Sequence, residues 1–423
     1  GAPVRSSATS SHSVGSDSPA RVDRRDDVRA LPDFRLPPDL TRFRAQVHDF
    51  LSNEMSVARA TGHQDRTDLT GWDQAFERSI LRRAGDEGIL GVSLPTEFGG
   101  GGHPPSWHAL VSFEAAYHDA PLIDTAAALV APTVIAFGSD IQRAQFLPAA
   151  SRGTVNACIA YTETGAGSDL SNVATVATPI DDGYVLTGEK VLVTGAHKAD
   201  WCCTIARTDP GSTGRHGLSM FLVDMRTPGV DVVRHATANR WTLSTIRFDG
   251  ATVGPDAVLG EVDRGWRQLT GALLGERSGT AWLGWATRNV EGLLAYAGGT
   301  ADRRVRDDLA DLVVRLFAGI RHAERVLALQ DAGVPPVVEG AMSKVFATEL
   351  LQRIATVGAR VLGPAVLTAP GWFGDPTLPS WFAYEVVERL HPTLSAGANE
   401  IQRTTIAQVG LGLPPEPRNQ GER

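Results

Sequence analysis

Four short segments of this chain carry residues that could do chemistry. In Tyr161-Thr-Glu-Thr-Gly-Ala-Gly-Ser-Asp169, three hydroxyls (Thr162, Thr164 and Ser168) surround two glycines. Glycines let the backbone approach a ligand closely, and exposed N–H groups with hydroxyls can hold a phosphate or a ring carbonyl. Position 170 is leucine, so this is not the GxGxxG dinucleotide fingerprint, and taken alone an ordinary polar loop is the better reading. One hairpin downstream, Gly188-Glu-Lys-Val-Leu-Val-Thr194 is followed by Lys198-Ala-Asp200. Thr194 closes a predicted strand, where its hydroxyl can exchange a hydrogen bond with a bound heterocycle. Between about Gly265 and Ala286 the pattern predicts one helix with Gly271, Gly275 and Gly279 four residues apart on a smooth face. Each glycine costs about 1 kcal/mol of helix propensity against alanine. Close helix packing accounts for such a face, and so does a flat ligand lying along it. On the same helix Ala272, Glu276 and Thr280 line up at i, i+4 spacing. A carboxylate between small neighbours can have a raised pKa and act as a base. By residue physics alone, a salt bridge to Arg277 or a solvated side chain has the edge. The fourth segment, Gly397-Ala-Asn-Glu-Ile-Gln-Arg403, closes a helix boundary and could equally be a plain helix N-terminus.

These segments need a scaffold, and at about 150 residues per domain the 423-residue chain has room for roughly three units. Residues 1–33, rich in Ser, Asp, Arg and Pro, read as a disordered tail. Asp17, Asp23, Asp26 and Asp27 argue against a transit peptide, and the missing initiator methionine suggests processing. Residues 34–155 read as an N-terminal helical domain, with Phe43, Val47, Phe50 and Leu51 at helical spacing. Residues 156–260 read as a middle β-domain. Strand-like runs fall at 174–178, 184–187, 191–194, 201–206, 218–223, 230–233 and 245–248, with an Asp181-Asp182-Gly183 turn after the first. Several short antiparallel strands suggest a small sandwich or barrel. Residues 261–412 read as a helical bundle. Val305, Leu309, Leu312 and Leu316 mark one apolar stripe, and Val345, Leu350, Ile354 and Val357 another. Residues 413–423 read as a polar tail.

Composition narrows the function. The formal charge of −8, from 40 basic and 48 acidic residues, argues against nucleic-acid binding. The most apolar stretch, Ile123 to Gly138, is short and contains Pro132, so it predicts a buried helix and no membrane span. A cytoplasmic location is expected. Cys158, Cys202 and Cys203 form no disulfide framework or zinc knuckle, and the eleven histidines include no HExxH. No catalytic metal is expected. Of the 40 basic residues only Lys190, Lys198 and Lys344 are lysines, for which codon bias is a better explanation than an arginine-specific surface.

Taken together, the segments resemble the acyl-CoA dehydrogenase family of flavoproteins. The matches are Thr162–Asp169, Gly188–Asp200, Leu259–Trp266 with Gly275–Arg277, and Ala398–Ala407, in order from about residue 40 onward. The resemblance implies an α+β, mostly α fold: an N-terminal helical domain, a middle antiparallel β-barrel or sandwich, and a C-terminal four-helix bundle. It implies FAD with its ring between the β-domain and the bundle. Tyr161, Thr162, Gly167 and Ser168 would contact the flavin or the ligand beside it. Val193 and Thr194 would sit at the ring, with the Thr194 hydroxyl near N5. Leu192, Ala398 and Glu400 fall at further flavin-contacting positions. Ser168, Arg277, Ala396 and Gly397 would hold the thioester.

In that family a carboxylate removes the proton α to a thioester while the β-hydride passes to flavin N5, and such a base is worth about 10²–10⁴-fold. Its usual Tyr-Glu-Gly-Thr motif reads Ser395-Ala396-Gly397-Ala398 here, so the acid is absent from that place. A subset of the family looks as if it carries the base immediately before the Arg of the glycine-rich helix, and Glu276 occupies that position. Leu192 stands where a flavin-stacking Trp is usual, and Ala398 where a Thr is usual. The Arg-x-x-Phe-Gly segment that reaches a neighbouring subunit's FAD is missing, with Gly298 to Arg306 as a shortened substitute. The expected function is dehydrogenation of an acyl-CoA or acyl-carrier-protein thioester. Electron-transfer flavoprotein or oxygen would be the acceptor, in a homodimer, homotetramer or heteromer. An N-oxygenase-type flavin monooxygenase and a catalytically silent subunit of a heteromeric dehydrogenase are the alternatives.

Overall fold

Phe43, Val47 and Leu51, continued by Met55 and Ala58, bury one side of α1 (Pro38–Thr61). It belongs to a computed structural model that describes residues 37–63, 72–122, 125–238, 242–275, 278–300, 302–369 and 377–415. Three further N-terminal helices are α2 (Gln74–Asp86), capped by Asp73, α3 (Pro105–His118) and α5 (Asp140–Ser151), started by a Ser139/Gln142 capping box. Between α3 and α5, a wide turn over Ala126–Val130 runs into α4 (Ala131–Phe137). Pro132 falls in the first turn of α4, where its missing N–H costs least.

The middle strands are β1 (Ala157–Ala160), β2 (Val176–Ile180), β3 (Gly183–Thr194), β4 (Trp201–Arg207), β5 (Leu218–Asp224), β6 (Val230–Ala236), β7 (Thr242–Val253) and β8 (Val258–Leu259). They form one eight-stranded sheet, ordered β6-β7-β3-β2-β4-β5-β8, with β1 also on β4. Asp181 and Asp182 make the expected hairpin turn, joining Ile180 to Gly183. The runs at 184–187 and 191–194 are one twelve-residue strand, because bulges absorb the irregular residues between them. The pairing is antiparallel except on β4, which meets β1 and the start of β2 in parallel. Cys203, Ile205, Met220 and Leu222 pack against the N-terminal helices, whereas Cys158, Cys202, Phe221 and Val223 line the opposite core.

The C-terminal region comprises α6 (Gly265–Gly275), α7 (Thr280–Ala297), α8 (Arg303–Asp331), α9 (Val337–Leu362), α10 (Ala365–Thr368), α11 (Leu378–Glu388) and α12 (Asn399–Thr405). Leu283 and Val290 of α7, Leu312 and Leu316 of α8, Leu351 and Ile354 of α9, and Trp381 and Phe382 of α11 share one core, a four-helix bundle. A Cβ on Gly284 would lie 2.3 Å from the Phe113 carbonyl oxygen, so α7 packs against α3 at backbone distance. Among the described residues no helix is long and apolar enough to cross a membrane.

One expectation is corrected. The single helix predicted over Gly265–Ala286 is two helices. Gly279 lies at φ +81°, and the Ser343 hydroxyl donates to the Ser278 carbonyl at 2.7 Å, pinning the break onto α9. Gly279 therefore serves a turn and does not extend a smooth face, and Thr280 starts a new helix. Glu276, the middle member of the expected i, i+4 ladder through Ala272 and Thr280, lies outside the described residues.

Candidate active site

The hydroxyl-and-glycine segment follows β1 directly and folds back on itself. Glu163 and Ala166 exchange two backbone hydrogen bonds of 3.0 Å, making a tight turn with Thr164 and Gly165 at its tip. The Val191 N–H donates to the Thr162 carbonyl at 2.9 Å, which sets this loop beside the end of β3. Two segments 20 to 30 residues apart in sequence thus become neighbours. Tyr161 turns into the core, with its hydroxyl 3.4 Å from the Cys203 thiol, whose pKa burial pushes up to about 12. Thr162 is half-buried, Gly167 and Ser168 are exposed, and a Cβ added at Gly165 or Gly167 would meet no protein atom within 4 Å. Nothing in the chain's own packing asks for glycine there.

Leu192 stands out by its backbone. It lies at φ +57° in a bulge where Val191 and Leu192 oppose the single residue Thr245, and its side chain is 65% exposed. An apolar, non-glycine residue held in the left-handed region and turned outward is strained, and such strain clusters at functional sites. Val193, next along, is buried within the β-domain, and Thr194 is exposed before Gly195 at φ +70° ends the strand.

The anchor of this half-site is a pair that sequence reasoning passed over. Glu163, hidden between the two threonines, accepts hydrogen bonds from the Ala174 and Thr175 N–H groups, the Thr175 hydroxyl and Lys190 Nζ at 2.7 Å. Lys190 is fully buried and also donates to the Ile205 carbonyl at 2.7 Å. Burial works to raise the Glu163 pKa, but Lys190 and the hydrogen bonds prevail and hold it below the usual carboxylate range. Burial pulls the lysine below its own usual range, against the attraction of Glu163. The one signal in the sequence was an acid and a rare lysine in two motifs that otherwise supply hydroxyls and glycines.

The C-terminal half-site is built on α9 and α12. Ala396 at φ +51° and Gly397 at φ +80° form a left-handed pair in the place where the resemblance puts the usual acid. Ala398, half-buried, precedes α12 and offers no side-chain cap. Asn399 replaces that cap with a deeper hold: its Oδ1 accepts from the fully buried Lys344 at 2.7 Å, and its Nδ2 donates to Thr348 and Glu349. Glu400 is exposed and lines a polar cavity of 440 Å³ with Gln352, Thr393 and Arg403. Glu276 and Arg277 lie outside the described residues.

Three family models match in order. The N-terminal domain of acyl-CoA dehydrogenase covers residues 37–154, the middle domain 158–251 and the C-terminal domain 263–411. Acyl-CoA dehydrogenase FadE29 of Mycobacterium tuberculosis is 31% identical over 403 residues, covering 90% of this chain and 99% of its own. This chain belongs to the acyl-CoA dehydrogenase family. Acyl-CoA dehydrogenase IpdE1 of the same organism is 33% identical over 396 residues, covering 89% of this chain and 99% of its own. Among solved structures, the Tcur3481-Tcur3483 steroid ACAD superposes with a TM-score of 0.82 at 26% identity, covering 90% and 99% of the two chains. Butyryl-CoA dehydrogenase from Megasphaera elsdenii superposes with a TM-score of 0.79 at 23% identity, covering 90% and 100%, which shows the fold. The acyl-CoA dehydrogenase fold expected from the sequence is the fold observed. Acyl-CoA dehydrogenases are FAD-dependent oxidoreductases, and FAD is the cofactor of this one.

Proposed function

We propose that this acyl-CoA dehydrogenase introduces a double bond between the α and β carbons of an acyl thioester, with Glu276 as the base. One observation carries the choice of base. The Ala396–Gly397 turn has no carboxylate, while Glu276 follows α6 directly and precedes a turn that Ser278 and Ser343 pin to α9. The Glu276 carboxylate accepts the α-proton, the C–H electron pair becomes the new C=C bond, and Arg277 orients the thioester.

FAD, when bound, supplies the acceptor for the two electrons that leave with the β-hydride. The chain's own residues fit it. The open backbone at Gly165 and Gly167, with the Thr162 and Ser168 hydroxyls, would hold its polar rim. Leu192 would cover the ring with an apolar face, and Thr194 would supply a hydroxyl at its edge. Ala398 and Glu400 would meet it from the bundle, and Ala396 and Gly397 would leave room for the acyl chain.

The name of the steroid ACAD supports including a polycyclic acyl-CoA among the substrates to test. Two solved relatives are named as pairs, Tcur3481-Tcur3483 and the ChsE4-ChsE5 complex of Mycobacterium tuberculosis, which supports a second polypeptide as a partner. A panel of CoA and carrier-protein thioesters, followed by loss of flavin absorbance, would rank the substrates. The decisive variant is Glu276→Gln. It is expected to keep its flavin and to bleach about 10²–10⁴-fold more slowly. Bleaching at the parental rate would place the base elsewhere.

A further inference from the structure

We propose that His48, Glu114 and His118 form a binding site for one divalent transition-metal ion of the zinc class, joining α1 to α3. Among the described residues this is the one place where three metal-ligating side chains bring their donor atoms within 4.8 Å of one another. The separations are 3.0 Å from His48 Nδ1 to Glu114 Oε2, 3.1 Å from His48 Nδ1 to His118 Nε2, and 3.8 Å from His118 Nε2 to Glu114 Oε2. A point equidistant from three atoms so spaced lies roughly 2 Å from each, which is the bond length zinc makes to imidazole nitrogen and carboxylate oxygen. Two imidazoles and one carboxylate form a three-ligand set that leaves a fourth position for water.

The surroundings suit an ion better than a hydrogen-bonded trio. Without a cation, His48 Nδ1 has either one proton or one lone pair, so only one of its two short contacts, to Glu114 or to His118, can be a full hydrogen bond. With a cation, all three lone pairs converge on one centre. The second carboxylate oxygen, Glu114 Oε1, accepts from Arg44 Nε at 2.7 Å, which fixes the plane of the ligating carboxylate as an outer-shell partner does. Glu114 is almost fully buried, whereas the His48 side chain is 45% exposed, so the ligands are held firmly and an ion has a way in. Glu114 and His118 lie one turn apart near the C-terminus of α3, where the helix dipole favours positive charge. Arg44, the Arg59 guanidinium on the His118 carbonyl, and Arg288 oppose a dication; Glu114, Asp119 and Glu291 offset them. The ligands come from α1 and α3, so the ion would staple two helices that are 70 residues apart in sequence at this point.

The test uses the full-length FAD-loaded protein after chelator treatment and dialysis. Titration with Co²⁺ is expected to give one ion per chain, with visible d–d bands that Zn²⁺ abolishes by displacement. His118→Gln and Glu114→Gln are each expected to weaken Co²⁺ binding by about 100-fold or more, since even an outer-shell partner is typically worth 10–100-fold. Far-ultraviolet circular dichroism and flavin content report whether each variant is folded. A zinc-soaked crystal of the parent protein, read by anomalous scattering at the zinc edge, needs no variant and is expected to show a peak between the three side chains. The proposal is overturned if Co²⁺ does not bind stoichiometrically, if folded variants bind it as the parent does, or if the anomalous peak lies elsewhere.

Discussion

Two buried lysines hold the two halves of the candidate active site, and the partners described for them differ. Lys190 meets a carboxylate, Glu163, that is itself fixed by three further hydrogen bonds. The described partners of Lys344 are the amide oxygen of Asn399 and the carbonyl oxygen of Thr393. The β-domain loop is therefore tied down by a buried ion pair, and the C-terminal segment by buried hydrogen bonds that Lys344 and Thr348 make with Asn399. An ion pair in a dry site resists partial loosening, because a lone buried charge is costly. In the proposed function the loop would present its backbone to FAD, whereas the segment around Ala396 would border the acyl chain, the part of the substrate that varies among acyl thioesters.

The comparison predicts a ranking of effects. Glu163→Gln, which strands the Lys190 charge, is expected to cost about 3–5 kcal/mol in urea denaturation and to release FAD. A loss near 1 kcal/mol would mean that Lys190 sheds its proton and that no ion pair anchors the loop. Because the Glu163 pKa is lowered in the folded state, its stabilisation is complete above the ordinary glutamate value near 4.3 and declines as the pH falls through the lowered one. Part of that acid sensitivity should disappear in Glu163→Gln. Asn399→Ala is expected to cost less, about 1–3 kcal/mol, by leaving Lys344 and Thr348 short of a partner, with FAD retained. Equal losses in the two variants would erase the distinction drawn here. The smallest effects belong to the strained residues. Ala396→Gly should gain at most about 1 kcal/mol from relief of its positive φ. Leu192→Gly should gain a similar amount in the flavin-free protein but hold FAD less tightly, and unchanged FAD affinity would remove Leu192 from the ring.

Much of this was legible in the residues. The Asp181–Gly183 turn, the apolar stripes of α8 and α9 and the four motifs in order were enough for the fold, because each is a local pattern repeated along the chain. What escaped was pairing across distance. Glu163 and Lys190 are 27 positions apart, and no single-sequence period connects them. The rarity of lysine says nothing of where the three stand: Lys190 and Lys344 are fully buried, and Lys198 bonds Glu77 in a largely buried contact. The break at Gly279 was missed because glycines at four-residue spacing look the same in a continuous helix as in one that ends between them.

That break has a mechanical consequence. The start of α6 is pressed onto β5, where a Cβ on Gly265 would lie 2.8 Å from the Leu218 carbonyl oxygen, whereas α7 is wedged against α3 and α9. The two helices on either side of Gly279 are thus held by different neighbours, the sheet for the start of α6 and packed helices for α7. A rod that stops and restarts can meet each neighbour at its own angle, which one continuous helix could not do.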